Sequence, residues 1–388
     1  MHHTITEPAR TLPITASCDV LVCGGGIAGV AAALAAARHG ARTMLLEREY
    51  MLGGLATLGL ITVYLPLCDG EGHQASYGIA EELLRLSIDE GIAESALPTA
   101  WLQADGDAQE RRNVRYQVQY NPAMMAVAME RLLLDAGVEI LYGTLAAHTM
   151  VEDGRITSVI VENKSGRSAI TVGAVVDATG DADICRLAGA DCATYAAGNA
   201  LAGWYYTVGN DGVRLREVGA YNDGERYDCR EAGEISAFVQ RSHELTMTHY
   251  RRLREQDPSV VPTLMATVPQ LRMTRRLVGA MTADDTPHTT VSTSIGMCGD
   301  WRRRGPLFEL PFGCLYGDKI RNLITAGRNI SVTDAMWDIT RVIPVCAVTG
   351  QAAGIAAAMG EDFASLDVSR LQTMLRADGV KLHCDEVL

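Results

Sequence analysis

The chain has 388 residues, 48% of them hydrophobic and 21% charged, with a formal net charge of −13 at pH 7. That length holds two lobes around one continuous core, and the acidic balance disfavours a nucleic-acid or anionic-membrane surface despite the local run DWRRRG ending at Gly305. Ten cysteines are scattered singly with no C-x-x-C spacing, so zinc and iron-sulfur sites lack their usual ligand pattern.

The opening segment MHHTITEPARTLPITASCDV has no apolar run of the kind a secretory signal needs, and the expected location is the cytoplasm. Next comes DVLVCGGGIAGVAAALAAARHGARTMLLERE, residues 19–49. Leu21 to Ala37 carries no charge, yet it is short for a membrane span of ~20 apolar residues, and its glycines cluster near the start. A strand from Val20 to Cys23, a tight turn and a helix to about His39 fit better. Gly24, Gly26 and Gly29 then form G-x-G-x-x-G. The first glycine permits the turn, the second lets backbone approach a pyrophosphate, and the third lets the helix pack on the sheet. A second strand, TMLLE, ends at Glu47, whose carboxylate is placed to accept hydrogen bonds from a ribose diol. Such a site takes an adenine dinucleotide.

After Glu47 the chain departs from a nicotinamide dehydrogenase. REYMLGGLATLGL puts Gly53 and Gly54 in a loop where backbone again approaches a cofactor. Pro122 opens an amphipathic helix leading to a strand VEILYGTLAAHTM. Turns at Asp153-Gly154 and Ser165-Gly166 then mark antiparallel strands, and AVVDATGDAD returns as a buried strand ending at Gly180. After Pro344, VCAVTGQAAGIAAAMG is nearly all small residues, so another backbone or a flat ring can approach it closely.

A dinucleotide fold whose crossover is a three-stranded meander resembles the FAD-binding domain of glutathione-reductase type. The segments EREYMLGGLATLGL, DATGDADI, LRMTRRLVG and NLITAGRNISVTDAMWDITRVIPVCAVTGQAAGIAAA are similar to the FAD-dependent oxidoreductase family over nearly the whole chain. The resemblance implies an α/β protein: a Rossmann-like FAD-binding domain from 1–63, 121–194 and 317–388, and a mixed α+β substrate lobe from 64–120 and 195–316. It implies FAD as cofactor, with Gly24, Gly26 and Gly29 at the pyrophosphate, Glu47 at the adenosine ribose and Leu145 and Ala146 at adenine. Gly53, Gly54, Ala56 and Thr57 are expected along the ribityl chain and ring, Gly180 and Asp181 beside the phosphates, and Gly327, Arg328 and Asn329 as a second contact. Ile27, Ala28, Arg48, Leu55, Ala178, Thr179 and Val345 complete the expected set.

For chemistry, Arg341 and a helix N-terminus after Pro344 would set positive potential where reduced flavin gathers negative charge. Arg341 equally suits an ion pair with Asp334 or Asp338. His73 is the preferred catalytic base, ahead of Tyr316 and His288, because its loop follows the glycine-rich segment. Arg275, with Arg272 and Arg276, would hold a carboxylate or polarise a carbonyl, and their close spacing equally suits ion pairing between lobes. The aromatic residues Trp101, Tyr116, Tyr120, Trp204, Tyr206 and Tyr221 suit either a pocket that stacks on a sugar or a core. The expected activity is hydride transfer between a small molecule and flavin N5, such as oxidation of a sugar or glycoside. Reduction of an activated C=C bond, which would rely on arginines more than on a histidine, is the alternative. An electron-transfer subunit of a larger complex is another. With a single G-x-G-x-x-G there is no dedicated NAD(P)H domain. The electron acceptor and self-association are left open, and neither a nucleic-acid nor a membrane partner is expected.

Overall fold

The computed structural model describes residues 4–89, 96–103, 106–219 and 224–388. The predicted aromatic Tyr221 lies outside them. The first unit runs β1 (Ile14–Cys23), α1 (Ile27–Arg38), β2 (Thr43–Leu46), α2 (Pro122–Asp135), β3 (Glu139–Leu141), β4 (Leu145–Glu152), β5 (Arg155–Asn163) and β6 (Gly166–Asp177). It closes with β7 (Leu323–Thr325), α3 (Asp334–Thr340) and α4 (Ile343–Met359).

Strands β3, β2, β1, β6 and β7 lie side by side in parallel, while β4 and β5 pair antiparallel onto the first half of β6. This is a Rossmann-like α/β sheet with a meander crossover. Two boundaries differ from expectation. VEILYGTLAAHTM is not one strand, because Gly143 at φ 57 breaks it between β3 and β4. The returning AVVDATG segment is no separate strand either. It is the second half of β6, which ends at Asp177. Where the edge of β6 changes partner from β5 to β7, the buried amide of Asn322 exchanges hydrogen bonds with Ile156 N and O and donates to Gly173 O, at 2.7–2.8 Å.

β1 is covered on both faces, as a central parallel strand must be. Val20 and Val22 pack into the core that holds α1 and α4, and Leu21 and Cys23 into the core under the meander. The first of these cores also takes in Tyr64, Leu83, Leu84, Trp101, Tyr116, Ile295 and Phe308. Helices α1 and α4 touch backbone to backbone. A Cβ on Gly350 would stand 2.3 Å from Ala28 O and one on Gly354 2.1 Å from Ala32 O, so only glycine lets them pack this closely. Farther out, Gly203–Gly209 pairs antiparallel with Gly212–Val218 and Val261–Met265, beside a long helix Ala232–Gln256.

Candidate cofactor and active site

Strands β1, β2, β6 and β7 end in register, Cys23 with Leu46 and Asp177, and Asp177 with Thr325. Ligands bind at this carboxyl rim in doubly wound sheets. A cleft of about 530 Å³ opens there. Its walls include Gly24, Gly26, Ile27 and Ala28 from the first turn, and Glu47 and Arg48 after β2. Gly53, Gly54, Leu55 and Ala56, then Leu145 and Ala146, and then Ala178, Thr179, Gly180 and Asp181 continue it, with Gly327, Arg328 and Arg341 completing the predicted residues present.

The three glycines divide the labour as their spacing implies. Gly24 has φ 103, and a Cβ there would meet Ala178 O at 2.5 Å. A Cβ on Gly29 would meet Gly24 O at 1.8 Å, which places Gly29 in the packing beneath the cleft. Gly26 has nothing within 4 Å of its would-be Cβ and so leaves open space at the head of α1. No side chain caps α1 or α4, and neither has an acidic residue in its first turn. Both N-termini therefore keep free N–H groups and positive potential for an anion. Gly53 N donates to Gly25 O at 2.8 Å, which clips the second glycine loop to the first turn. The buried Glu47 carboxylate is oriented by Gly25 N at 2.7 Å and Glu49 N at 2.8 Å.

Four predicted contacts stand behind the walls. Thr57 donates its hydroxyl to Leu52 O at 2.5 Å. Asn329 is fully buried and donates to Asp177 O and Oδ1 at 3.0 and 2.8 Å. Gly29 packs as described, and Val345 is buried while Ile343 and Cys346, on either side of it, reach the cleft. Asp177 also accepts from Thr179 N, Thr179 Oγ1 and Cys185 N, so one buried carboxylate shapes the Ala178–Asp181 turn. Burial pushes its pKa up.

The expected catalytic groups separate. His73 is outside the cleft lining and its Nδ1 pairs with Asp69 Oδ2 at 2.8 Å. The chain turns away at Leu60, φ 57, and Val63–Tyr64 pairs with Val118–Gln119, which carries the His73 loop elsewhere. Tyr316 and His288 are outside the lining as well. Arg275 lies just behind the wall, donating to Asp181 O at 3.1 Å and facing Asp183 Oδ1 at 3.4 Å. Arg276 pairs with Asp334 at 3.0 Å. Arg341 lines the cleft and also pairs with Asp338 at 2.6 Å, so the expected ion pair does not withdraw it from the cleft. No aromatic ring is among the described residues lining the cleft. Trp101 instead stacks on Tyr116 in the core, with centroids 5.3 Å apart.

Residues that sequence reasoning missed include Ile235, Val268, Pro269 and Leu271 from the outer part, and Thr144, Asp183 and Ile184 near the sheet. Arg328 fastens the outer wall by donating to Leu271 O at 2.8 Å and Arg272 O at 3.2 Å. Thr274 adds a 2.5 Å bond to Asp181 Oδ1. Burial, then the neighbouring charges of Asp181 and Asp177, push the Asp183 pKa up to about 6.

Residues 19–246 and 265–375 match the family of FAD dependent oxidoreductases, and the chain belongs to that family. Over 187 residues it is 32% identical to a vinyl phenol reductase of Lactiplantibacillus plantarum, a match that covers 42% of this chain and only 38% of the relative's length. The solved structure of a geranylgeranyl bacteriochlorophyll reductase-like protein from Thermoplasma acidophilum shares the fold. Its TM-score is 0.50 at 14% identity, over 93% of this chain and 84% of that one. The open space over Gly26, the two uncapped helix ends and the fixed Glu47 carboxylate fit FAD.

Proposed function

We propose that this FAD-dependent oxidoreductase reduces an activated C=C bond of a small molecule. The observation that carries the reading is the kind of side chain at the cleft: Arg341 lines it, whereas His73 is held by Asp69 outside it. FAD, when bound, supplies hydride transfer at flavin N5. Asp338 holds Nε and Nη2 of Arg341, and Nη1 has no hydrogen-bond partner among the described residues. That nitrogen is available to polarise the electron-withdrawing group of an alkene. Leu55, Val268, Pro269, Leu271 and Ile343 add apolar walls that keep water from the reacting carbons. The partial similarity to a vinyl phenol reductase supports the same class of reaction. Electrons arrive from an external donor, either a second small molecule in the same cleft or a partner protein.

Oxidation of a sugar or other hydroxylated compound is less well supported, since His73, the base expected for it, and the rings expected to stack on a sugar are not among the described residues that line the cleft. The test is anaerobic. Photoreduced enzyme is mixed with aryl alkenes and unsaturated carbonyl compounds, and oxidised enzyme with sugars and alcohols, while the visible flavin band is followed. Reoxidation by an alkene is the expected result. Bleaching by a hydroxylated compound, with no alkene reoxidising the reduced enzyme, overturns the reading.

A further inference from the structure

The DWRRRG run is outside the cleft lining, yet it reaches Arg341, one of the cleft's cations, through Asp338. Asp338 is shared: its Oδ1 accepts from Arg341 Nε at 3.1 Å and Nη2 at 2.6 Å, and its Oδ2 accepts from Arg302 Nη1 at 3.0 Å. Arg302 is held in turn by Asp300, a fully buried carboxylate that takes Arg302 Nε at 2.9 Å, Arg302 Nη2 at 3.0 Å and Arg303 Nε at 2.9 Å. Trp301 fixes the spacing. Its Nε1 donates to Asp338 O at 3.0 Å, and its ring centroid is 6.0 Å from the Arg341 guanidinium carbon. Arg115 Nη1 braces the loop through Trp301 O at 3.1 Å. The result is an alternating ladder, Asp300, Arg302, Asp338, Arg341, leading from a surface loop to the cofactor cleft.

We propose that this ladder positions Arg341 and sets the charge it presents to bound FAD, with Asp338 and Arg302 as positioning residues. A carboxylate shared between two guanidinium groups gives each less than it would give one alone. Arg302 therefore keeps Asp338 from closing fully on Arg341. The Arg341 and Asp338 side chains are only 14% and 28% exposed, so solvent and salt screen this coupling less than they screen a surface pair. The proposal depends on FAD in the cleft and is independent of which substrate is reduced.

The experiment is equilibrium redox titration of FAD-loaded protein. Arg341→Met should lower the flavin midpoint potential and Asp338→Asn should raise it, each by about tenfold in the reduced-to-oxidised ratio, or about 30 mV for a two-electron couple. Arg302→Met should lower it by a smaller amount, and Arg302→Lys should restore most of the loss. The decisive comparison is Arg302→Met in the Asp338→Asn background, where its shift should shrink because there is no longer a carboxylate to divide. Equal shifts in both backgrounds would make Arg302 a remote charge only and overturn the positioning role. An unchanged potential in Arg341→Met, or in an FAD-loaded Asp338→Asn protein that merely melts lower, would overturn the proposal as well. If Asp338→Asn does not fold, Arg302→Met alters an exposed group and carries the test alone: an unchanged potential overturns the ladder.

Discussion

Helix α4 and the long helix Ala232–Gln256 are built to opposite specifications. Every residue of α4 from Ile343 to Ala357 is buried, and its glycines rest on the carbonyls of α1. The longer helix buries Phe238, Ser242 and Thr246, a single narrow stripe among 25 residues. Where backbone meets backbone, residue size is dictated position by position, and the sequence shows it as a run of Ala and Gly. Where one stripe suffices, most positions are free, and the sequence says little about what the helix does.

That contrast can be broken or sharpened by experiment. The largest effect is expected from Gly354→Val, whose side chain has to displace the Ala32 carbonyl. It should cost more than ~3 kcal/mol in urea unfolding, and a loss below 1 kcal/mol would mean that α1 and α4 slide apart freely. Gly26→Val comes next. Its Cβ meets nothing in the protein, so the apo melting temperature should hold while FAD affinity falls about a hundredfold, ~2.7 kcal/mol. Unchanged affinity would move the diphosphate away from this turn. Glu47→Ala should weaken FAD by ~1.5 to 3 kcal/mol, the range for a hydrogen bond to a charged group, as read by titration of the apoprotein.

A smaller, pH-dependent effect belongs to Asp183, which lines the cleft with a pKa raised to about 6. Because the folded value is raised, the group is neutral below about pH 6 and adds a negative charge beside the diphosphate above it. FAD should therefore bind more tightly at pH 5 than at pH 7.5, and Asp183→Asn should flatten the difference. The smallest change is expected on the long helix, where Met247 is 49% exposed. Met247→Ser should alter stability by no more than about 0.5 kcal/mol, and a larger loss in thermal unfolding would show that this face is covered.

Much of the cofactor half was legible because each residue there answers a local geometric demand. Gly24, Gly26, Gly29 and Glu47 sit at fixed spacings set by a turn and one helix length, and the meander shows its turns as Asp153-Gly154 and Ser165-Gly166. Val268, Pro269 and Leu271 were missed because they reach the cleft from a segment without periodicity, held there by Arg328 at Leu271 O, and Ile235 because the stripe of its helix does not show what the helix packs against. His73 was misjudged for a related reason. Following a glycine loop in sequence fixes distance along the chain and not direction, and the left-handed Leu60 redirects it. Arg341 was readable as a choice between cofactor and ion pair, but a sequence does not reveal that one guanidinium can pair with Asp338 and still line the cleft.

The seating of Gly350 on Ala28 also has a bearing on time. One partner belongs to α1 and the other to α4, more than 300 positions further along the chain. On a ribosome the nucleotide-binding turn emerges long before α4 and remains half a site, lacking the α4 N-terminus whose Ile343 and Cys346 line the same cleft. Such distant contacts close slowly, so FAD capture is expected late in folding, once synthesis has passed α4.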